Sequence, residues 1–78
     1  MRLIIGAGTR QKKGWTHHDI QPLDGISICC DFWDLGKYVE YESCTDIEMT
    51  HVLEHFPIND AKQALKLVYG LLKPGGSL

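Results

Sequence analysis

Three groups of residues in the first half of the chain have side chains, or lack them, in a way that suits ligand binding. Gly6-Ala7-Gly8 is a glycine turn, where a ligand can come close to the backbone and its N–H groups. The carboxylate of Asp19 can accept hydrogen bonds from both hydroxyls of a ribose. Asp31 can accept from an exocyclic amine, while the ring of Phe32 packs on a purine. In this order the three groups suit a nucleoside with a charged tail.

The elements that must position these residues are read from apolar runs and turn signals. Four short strands are predicted, and each candidate site residue of the first half lies at or just after the end of one of them. A short helical turn is expected within residues 34–41 and another within 52–56, where Pro57 ends it. The four predicted strands are residues 3–5, 16–20, 26–30 and 46–50.

The last third of the chain carries the clearest helical pattern. Apolar residues recur at helical spacing from Ala61 to Leu72, and Asn59 or Asp60 is the expected N-cap. Pro74-Gly75-Gly76 is expected to stop this helix after Lys73. Strands that alternate with helical segments predict an α/β fold with a parallel sheet. We therefore expect a partial Rossmann-like sheet of about four strands, truncated after the helix that ends at Lys73.

Length and charge narrow the functional classes. The chain has 78 residues and a net charge of −2, so we expect one small domain over residues 1–78 that is not a nucleic-acid binder. No run approaches the ~20 apolar residues of a membrane span, and no signal-peptide core follows Met1. Three cysteines, two of them adjacent, favour reduced thiols and hence a cytoplasmic location.

Longer stretches of the sequence resemble the N-terminal half of the class I S-adenosylmethionine-dependent methyltransferases. The resemblance covers essentially the whole chain, and its more specific part is the second half. The stretches that carry it are residues 4–10 (IIGAGTR), 14–20 (GWTHHDI), 30–32 (CDF), 46–56 (DIEMTHVLEHF) and 71–76 (LLKPGG).

The resemblance implies a cofactor and a set of residues that hold it. S-adenosylmethionine would be bound with its methionine part at the glycine turn, its ribose at Asp19 and its adenine beside Asp31 and Phe32. His51 would face the cofactor after the fourth strand. The cofactor-binding residues are then Gly6, Ala7, Gly8, Asp19, Ile20, Asp31, Phe32 and His51. The resemblance does not identify the methyl acceptor or the catalytic residues.

Other functions remain open from the sequence. The domain is expected to be incomplete for catalysis on its own, so a complementing chain or a homo-oligomer is a possible partner. A fragment that binds no cofactor and pairs through an exposed sheet edge is the first alternative. The second is zinc hydrolysis, because His51-Val52-Leu53-Glu54-His55 matches H-x-x-E-H. That alternative is weak because a zinc site needs a further protein ligand, and 23 residues follow His55. We expect no metal site.

Overall fold

The computed structural model describes residues 1–49, 52 and 55–78, and all five of its strands run parallel in a single sheet. The spatial order is β3-β2-β1-β4-β5, so the chain moves outward from β1 to one side and then returns to the other. Strand order therefore reverses between β1 and β4. The strands are β1 (Arg2–Ile5), β2 (Thr16–Asp19), β3 (Ile28–Cys29), β4 (Cys44–Met49) and β5 (Leu72–Ser77).

One face of the sheet carries the hydrophobic core. Leu3 and Ile5 of β1 and Ile47 of β4 are buried there, because alternate residues of a strand point to the same face. Two helices cover this face, the 3₁₀ helix Phe32–Lys37 and the α-helix α1 (Ile58–Leu71). Leu35 of the first helix and Val68 of the second are both fully buried.

In the part of the chain that the structure describes, the other face is covered by a loop and not by a helix. The ring centroid of Trp15, at the end of this loop, lies 5.5 Å from Cζ of the Arg2 guanidinium. Nζ of Lys12 lies 2.7 Å from Oε1 of Glu48 on β4. Arg2 and Glu48 occupy the face opposite the core, next to Ile4 in the β1–β4 register. The loop between β1 and β2 therefore supplies the cover that a parallel sheet needs on its second face.

The predicted parallel α/β arrangement is confirmed, and the four predicted strands are present with slightly different ends. The prediction that the last helix ends at Lys73, with no strand after it, is wrong. The helix α1 ends at Leu71, and Leu72 begins a fifth strand whose register with β4 contains a bulge. Lys73 precedes Pro74, and a residue before proline is biased away from the helical conformation.

The start of α1 also differs from the prediction. The helix begins at Ile58 with Pro57 as N-cap, and no side chain caps it. Neither Asn59 nor Asp60 serves as the cap, because both lie inside the first turn. The short helix predicted over residues 52–56 falls partly outside the described residues. The helical turn predicted within residues 34–41 is present as the 3₁₀ helix, which starts two residues earlier.

Candidate functional site

The glycine turn after β1 is held by backbone and side-chain groups of β2. The Gly6 N–H donates to Nδ1 of His18 (3.2 Å), the Ala7 N–H to the His18 carbonyl (2.8 Å) and the Gly8 N–H to Oδ2 of Asp19 (2.8 Å). Three successive N–H groups of the turn therefore have partners within the protein. These hydrogen bonds join the ends of β1 and β2, and they leave none of the three N–H groups free to donate to a ligand.

Glycine at position 6 is required by conformation and by space. Its φ of +65° lies in the left-handed region, which costs side-chain-bearing residues about 1–2 kcal/mol. A Cβ at this position would also lie 2.9 Å from Cγ2 of Val52, closer than carbon atoms pack. The missing side chain lets Val52 approach the turn.

His18 links the ends of the first three strands. Its side chain is only 3% exposed. Because Nδ1 accepts the Gly6 N–H, the ring proton is assigned to Nε2, which donates to the Cys30 carbonyl at 2.8 Å. The imidazole thus joins the turn after β1 to the residue that follows β3, and it fixes the spacing of this edge of the sheet.

Asp19 is positioned by two backbone hydrogen bonds. Oδ2 accepts from the Gly8 N–H at 2.8 Å, and Oδ1 accepts from the Gln21 N–H at 3.0 Å. A carboxylate offers about four acceptor positions, so each oxygen retains one. The acid is therefore fixed in place and can still accept from two donors of a ligand.

The end of β3 forms an aromatic corner, which we define as Phe32, Trp33 and Phe56. Oδ1 of Asp31 accepts from the Trp33 N–H at 3.0 Å and so caps the 3₁₀ helix. The three ring centroids lie 5.1–5.5 Å apart. Phe32 belongs to the core, whereas the side chain of Trp33 is 43% exposed. Trp33 therefore supplies the accessible aromatic surface of the corner.

These features meet in one cleft of about 490 Å³ at the carboxyl ends of the strands, beside the point where strand order reverses. Small-molecule sites typically have this volume, and open parallel sheets bind ligands at this position. The lining residues are Ile5, Gly6, Arg10, His18, Asp19, Ile20, Asp31, Phe32, Trp33, Val52, His55 and Phe56.

Most of the predicted binding residues line this cleft. Gly6, Asp19, Ile20, Asp31 and Phe32 do so, and Ile20 leaves 64% of its surface exposed although it is apolar. Two predicted residues, Ala7 and Gly8, lie in the turn beside the cleft and do not line it. Another, His51, lies outside the described residues, as does most of the H-x-x-E-H pattern.

Sequence reasoning missed several lining residues, above all Arg10 and His18. Arg10 follows the glycine turn, where its N–H donates to the Ala7 carbonyl at 2.8 Å. The position of His18, one residue before Asp19 at the end of β2, could have indicated that it lies near the site. Its hydrogen bonds to Gly6 and Cys30 could not be predicted, because they depend on the fold.

Charge is distributed unevenly over the cleft. Arg10 is positive at the glycine turn, whereas Asp19 and Asp31 place carboxylates at the ends of β2 and β3. Next to Asp31, burial and then the negative charge of Asp34 raise the pKa of the Cys30 thiol above its ordinary value. The neutral form of the Cys30 thiol is therefore favoured.

A second cleft of about 440 Å³ lies on the opposite face of the sheet, where Trp15 and Ser77 line it together with residues of β4. Among residues 1–49, 52 and 55–78, no three His, Cys, Asp or Glu side chains form a group that could hold a metal ion. Within the same residues, no helix is both long and apolar enough to cross a membrane.

Comparisons with known proteins do not identify a family for this chain. No protein-family model matches the chain, and no curated protein or solved structure is significantly similar to it.

Proposed function

We propose that this chain is the cofactor-binding part of a class I methyltransferase and binds S-adenosylmethionine, or its demethylated product S-adenosylhomocysteine, in the first cleft. The observation that carries the proposal is the fixed array along one sheet edge. A glycine turn is hydrogen-bonded to an acid at the next strand end, and an acid with an exposed indole follows at the third. The strand order β3-β2-β1-β4-β5 is that of Rossmann-like sheets and supports the same assignment.

The ribose is assigned to Asp19. Both oxygens of this carboxylate are held by backbone N–H groups, and each retains an acceptor position. Two adjacent hydroxyls match two such positions, and hydrogen bonds to a charged acceptor are the stronger kind. Because the carboxylate is held before a ligand arrives, little ordering cost remains to be met on binding.

The adenine is assigned to the aromatic corner and to Ile20. The exposed face of Trp33 and the exposed side chain of Ile20 offer apolar surface on the same cleft. Oδ1 of Asp31 accepts the Trp33 N–H in the helix cap, so the other oxygen of this carboxylate can accept from the exocyclic amine of the adenine. Phe32 packs against Trp33 from the core in a T-shaped arrangement.

A dinucleotide fits this turn less well. The pyrophosphate of such a cofactor is bound by free N–H groups of a glycine-rich turn at the start of a helix. Here the N–H groups of Gly6, Ala7 and Gly8 are bonded to β2, and a loop follows in place of a helix. One of those partners is the carboxylate of Asp19, which repels a phosphate.

When bound, S-adenosylmethionine supplies an electrophilic methyl group, and the residues described above bind and orient it. We assign no catalytic residue and no methyl acceptor. His51, placed next to the cofactor by the resemblance, stays a prediction. A complementing chain or second copy as the source of acceptor-binding groups, and a cytoplasmic location, belong to the same proposal.

Calorimetric titration with S-adenosylhomocysteine tests the proposal. We expect binding to the unaltered chain, and we expect Asp19→Asn to weaken it about 10- to 100-fold because one charged acceptor is lost. Asp24→Asn is the matched control, since this exposed acid on the β2–β3 loop does not line the cleft. Circular dichroism shows whether each variant is folded.

A change made in the ligand avoids any effect on folding. Adenosine should bind more tightly than 2′,3′-dideoxyadenosine, which lacks the 2′ and 3′ hydroxyls, and NAD should bind weakly or not at all. Absence of binding by every adenosyl ligand at millimolar concentration would contradict the proposal and favour the scaffold alternative. Equal affinity for the two nucleosides would refute the role of Asp19.

A further inference from the structure

Among the described residues that line the first cleft, Arg10 is the only arginine or lysine. The turn that positions it is closed by a hydrogen bond from its own N–H to the Ala7 carbonyl. This bond places Arg10 directly beyond the glycine turn, at the β1 end of the cleft. The two cleft carboxylates, those of Asp19 and Asp31, belong to the β2 and β3 ends.

The glycine turn has little to offer an anion by itself. Its three N–H groups at residues 6–8 already donate to His18 and Asp19. An anionic group of a ligand at this end of the cleft therefore needs a donor from elsewhere. A guanidinium provides several N–H groups in a planar arrangement that matches the two oxygens of a carboxylate.

We propose that Arg10 determines specificity for adenosyl ligands that end in an α-carboxylate. The inference rests on the proposed function and adds a requirement that the cofactor assignment alone does not contain. The ligand is oriented by its two ends, because the carboxylates of Asp19 and Asp31 bind the nucleoside and the guanidinium of Arg10 binds the α-carboxylate of the amino-acid tail. Ligands that lack the carboxylate lose the second anchor.

The carboxylate is favoured over a phosphate as the anion at this position. A phosphate carries more negative charge and would lie near the carboxylate of Asp19, which the Gly8 N–H holds against the same turn. The α-carboxylate of an amino acid has an ammonium group beside it, so its approach to Asp19 costs less. Adding ADP to the experiment distinguishes the two anions.

The experiment compares S-adenosylhomocysteine with its decarboxylated analogue, which keeps the ammonium group and lacks only the carboxylate. Calorimetry on the unaltered chain should show about tenfold tighter binding of the intact ligand. Arg10→Gln should weaken the intact ligand about tenfold and leave the analogue within about twofold. Arg10→Lys should recover part of the difference, because it keeps the charge but not the planar pair of donors.

Lys13→Gln is the matched control. Lys13 lies three residues further along the same loop, is exposed and does not line the cleft. The Lys13→Gln substitution removes the same unit of charge as Arg10→Gln. Equal weakening of binding by both variants would mean that the net charge of the loop acts on the ligand at long range, and it would overturn the role of Arg10. Binding of the analogue by Arg10→Gln shows that this variant is folded.

The remaining outcomes separate this inference from the proposed function. If both ligands bind the unaltered chain equally well, the inference is wrong and the cofactor proposal stands. If neither ligand binds, the cofactor proposal is wrong and the inference falls with it. Tighter binding of ADP than of S-adenosylhomocysteine, lost in Arg10→Gln, would assign Arg10 to a phosphate and refute the carboxylate.

Discussion

Replacing His18 by phenylalanine should destabilise the fold strongly, because the ring is kept while both of its hydrogen bonds are removed. The imidazole is 3% exposed and bonds to the Gly6 N–H and the Cys30 carbonyl. Leaving two such backbone groups without partners costs about 1–3 kcal/mol each, or about 2–6 kcal/mol together. A chain of 78 residues has a total stability of about 4–12 kcal/mol, so the variant loses a large share of it.

Two further variants apportion this loss. His18→Asn places an amide oxygen near the position of Nδ1, so it can still accept from Gly6 while the bond to Cys30 is lost. About half of the destabilisation should therefore return. His17→Phe is the matched control on the neighbouring strand position, where the imidazole bonds to Lys12 at the exposed surface. Its cost should stay below about 1 kcal/mol.

Equilibrium unfolding in urea, followed by tryptophan fluorescence, measures these differences. The free energies of unfolding should rank unaltered chain, His17→Phe, His18→Asn and His18→Phe from most to least stable. A loss below about 1 kcal/mol in His18→Phe, or an equal loss in His17→Phe, would refute the view that His18 holds the three strand ends together.

Three other changes have outcomes that follow from local geometry. Gly6→Ala should cost at least about 1–2 kcal/mol in urea unfolding because its φ is positive and Val52 occupies the space of a Cβ, whereas Gly36→Ala, with nothing within 4 Å, should be nearly neutral. Val68→Ala should cost about 2 kcal/mol in the same assay, since two fully buried methyl groups are removed from the core. The pKa of the Cys30 thiol is raised in the folded state, so its contribution to stability should be complete below the pKa of the unfolded thiol and decline as the pH rises from there toward the folded value. Iodoacetamide at pH 8.5 should accordingly modify Cys30 more slowly in the native chain than in urea, as read by site-resolved mass spectrometry; equal rates would contradict the raised pKa.

The position of β1 could be predicted from an apolar run that ends at Gly6, and that of β2 from a short run that Pro22 closes, whereas β4 contains Asp46 and Glu48 and had a weaker signal. Their common carboxyl edge followed from parallel pairing, and it places Asp19 and Asp31 on one cleft. The fifth strand was missed because Pro74-Gly75-Gly76 reads as a stop. Its pairing with β4 depends on the burial of Cys44 and Leu72, which is a tertiary effect.

The chemistry of the glycine turn could be predicted only in part. Glycines indicated a close approach of backbone, and the turn is where they placed it. That its N–H groups are occupied by His18 and Asp19 depends on contacts across 11 and 12 residues of sequence, which no local pattern encodes.

The two tryptophans allow the most direct test of the central claim, because one lines each cleft. Trp33 lies in the first cleft and Trp15 in the second, on the opposite face of the sheet. In a ¹⁵N–¹H correlation spectrum recorded during titration with S-adenosylhomocysteine, the indole signal of Trp33 and the amide signals of Gly6 and Ile20 should shift together. The indole signal of Trp15 should stay in place. Shifts confined to Trp15, or no shift at millimolar ligand, would contradict the assignment of the first cleft as an adenosyl site.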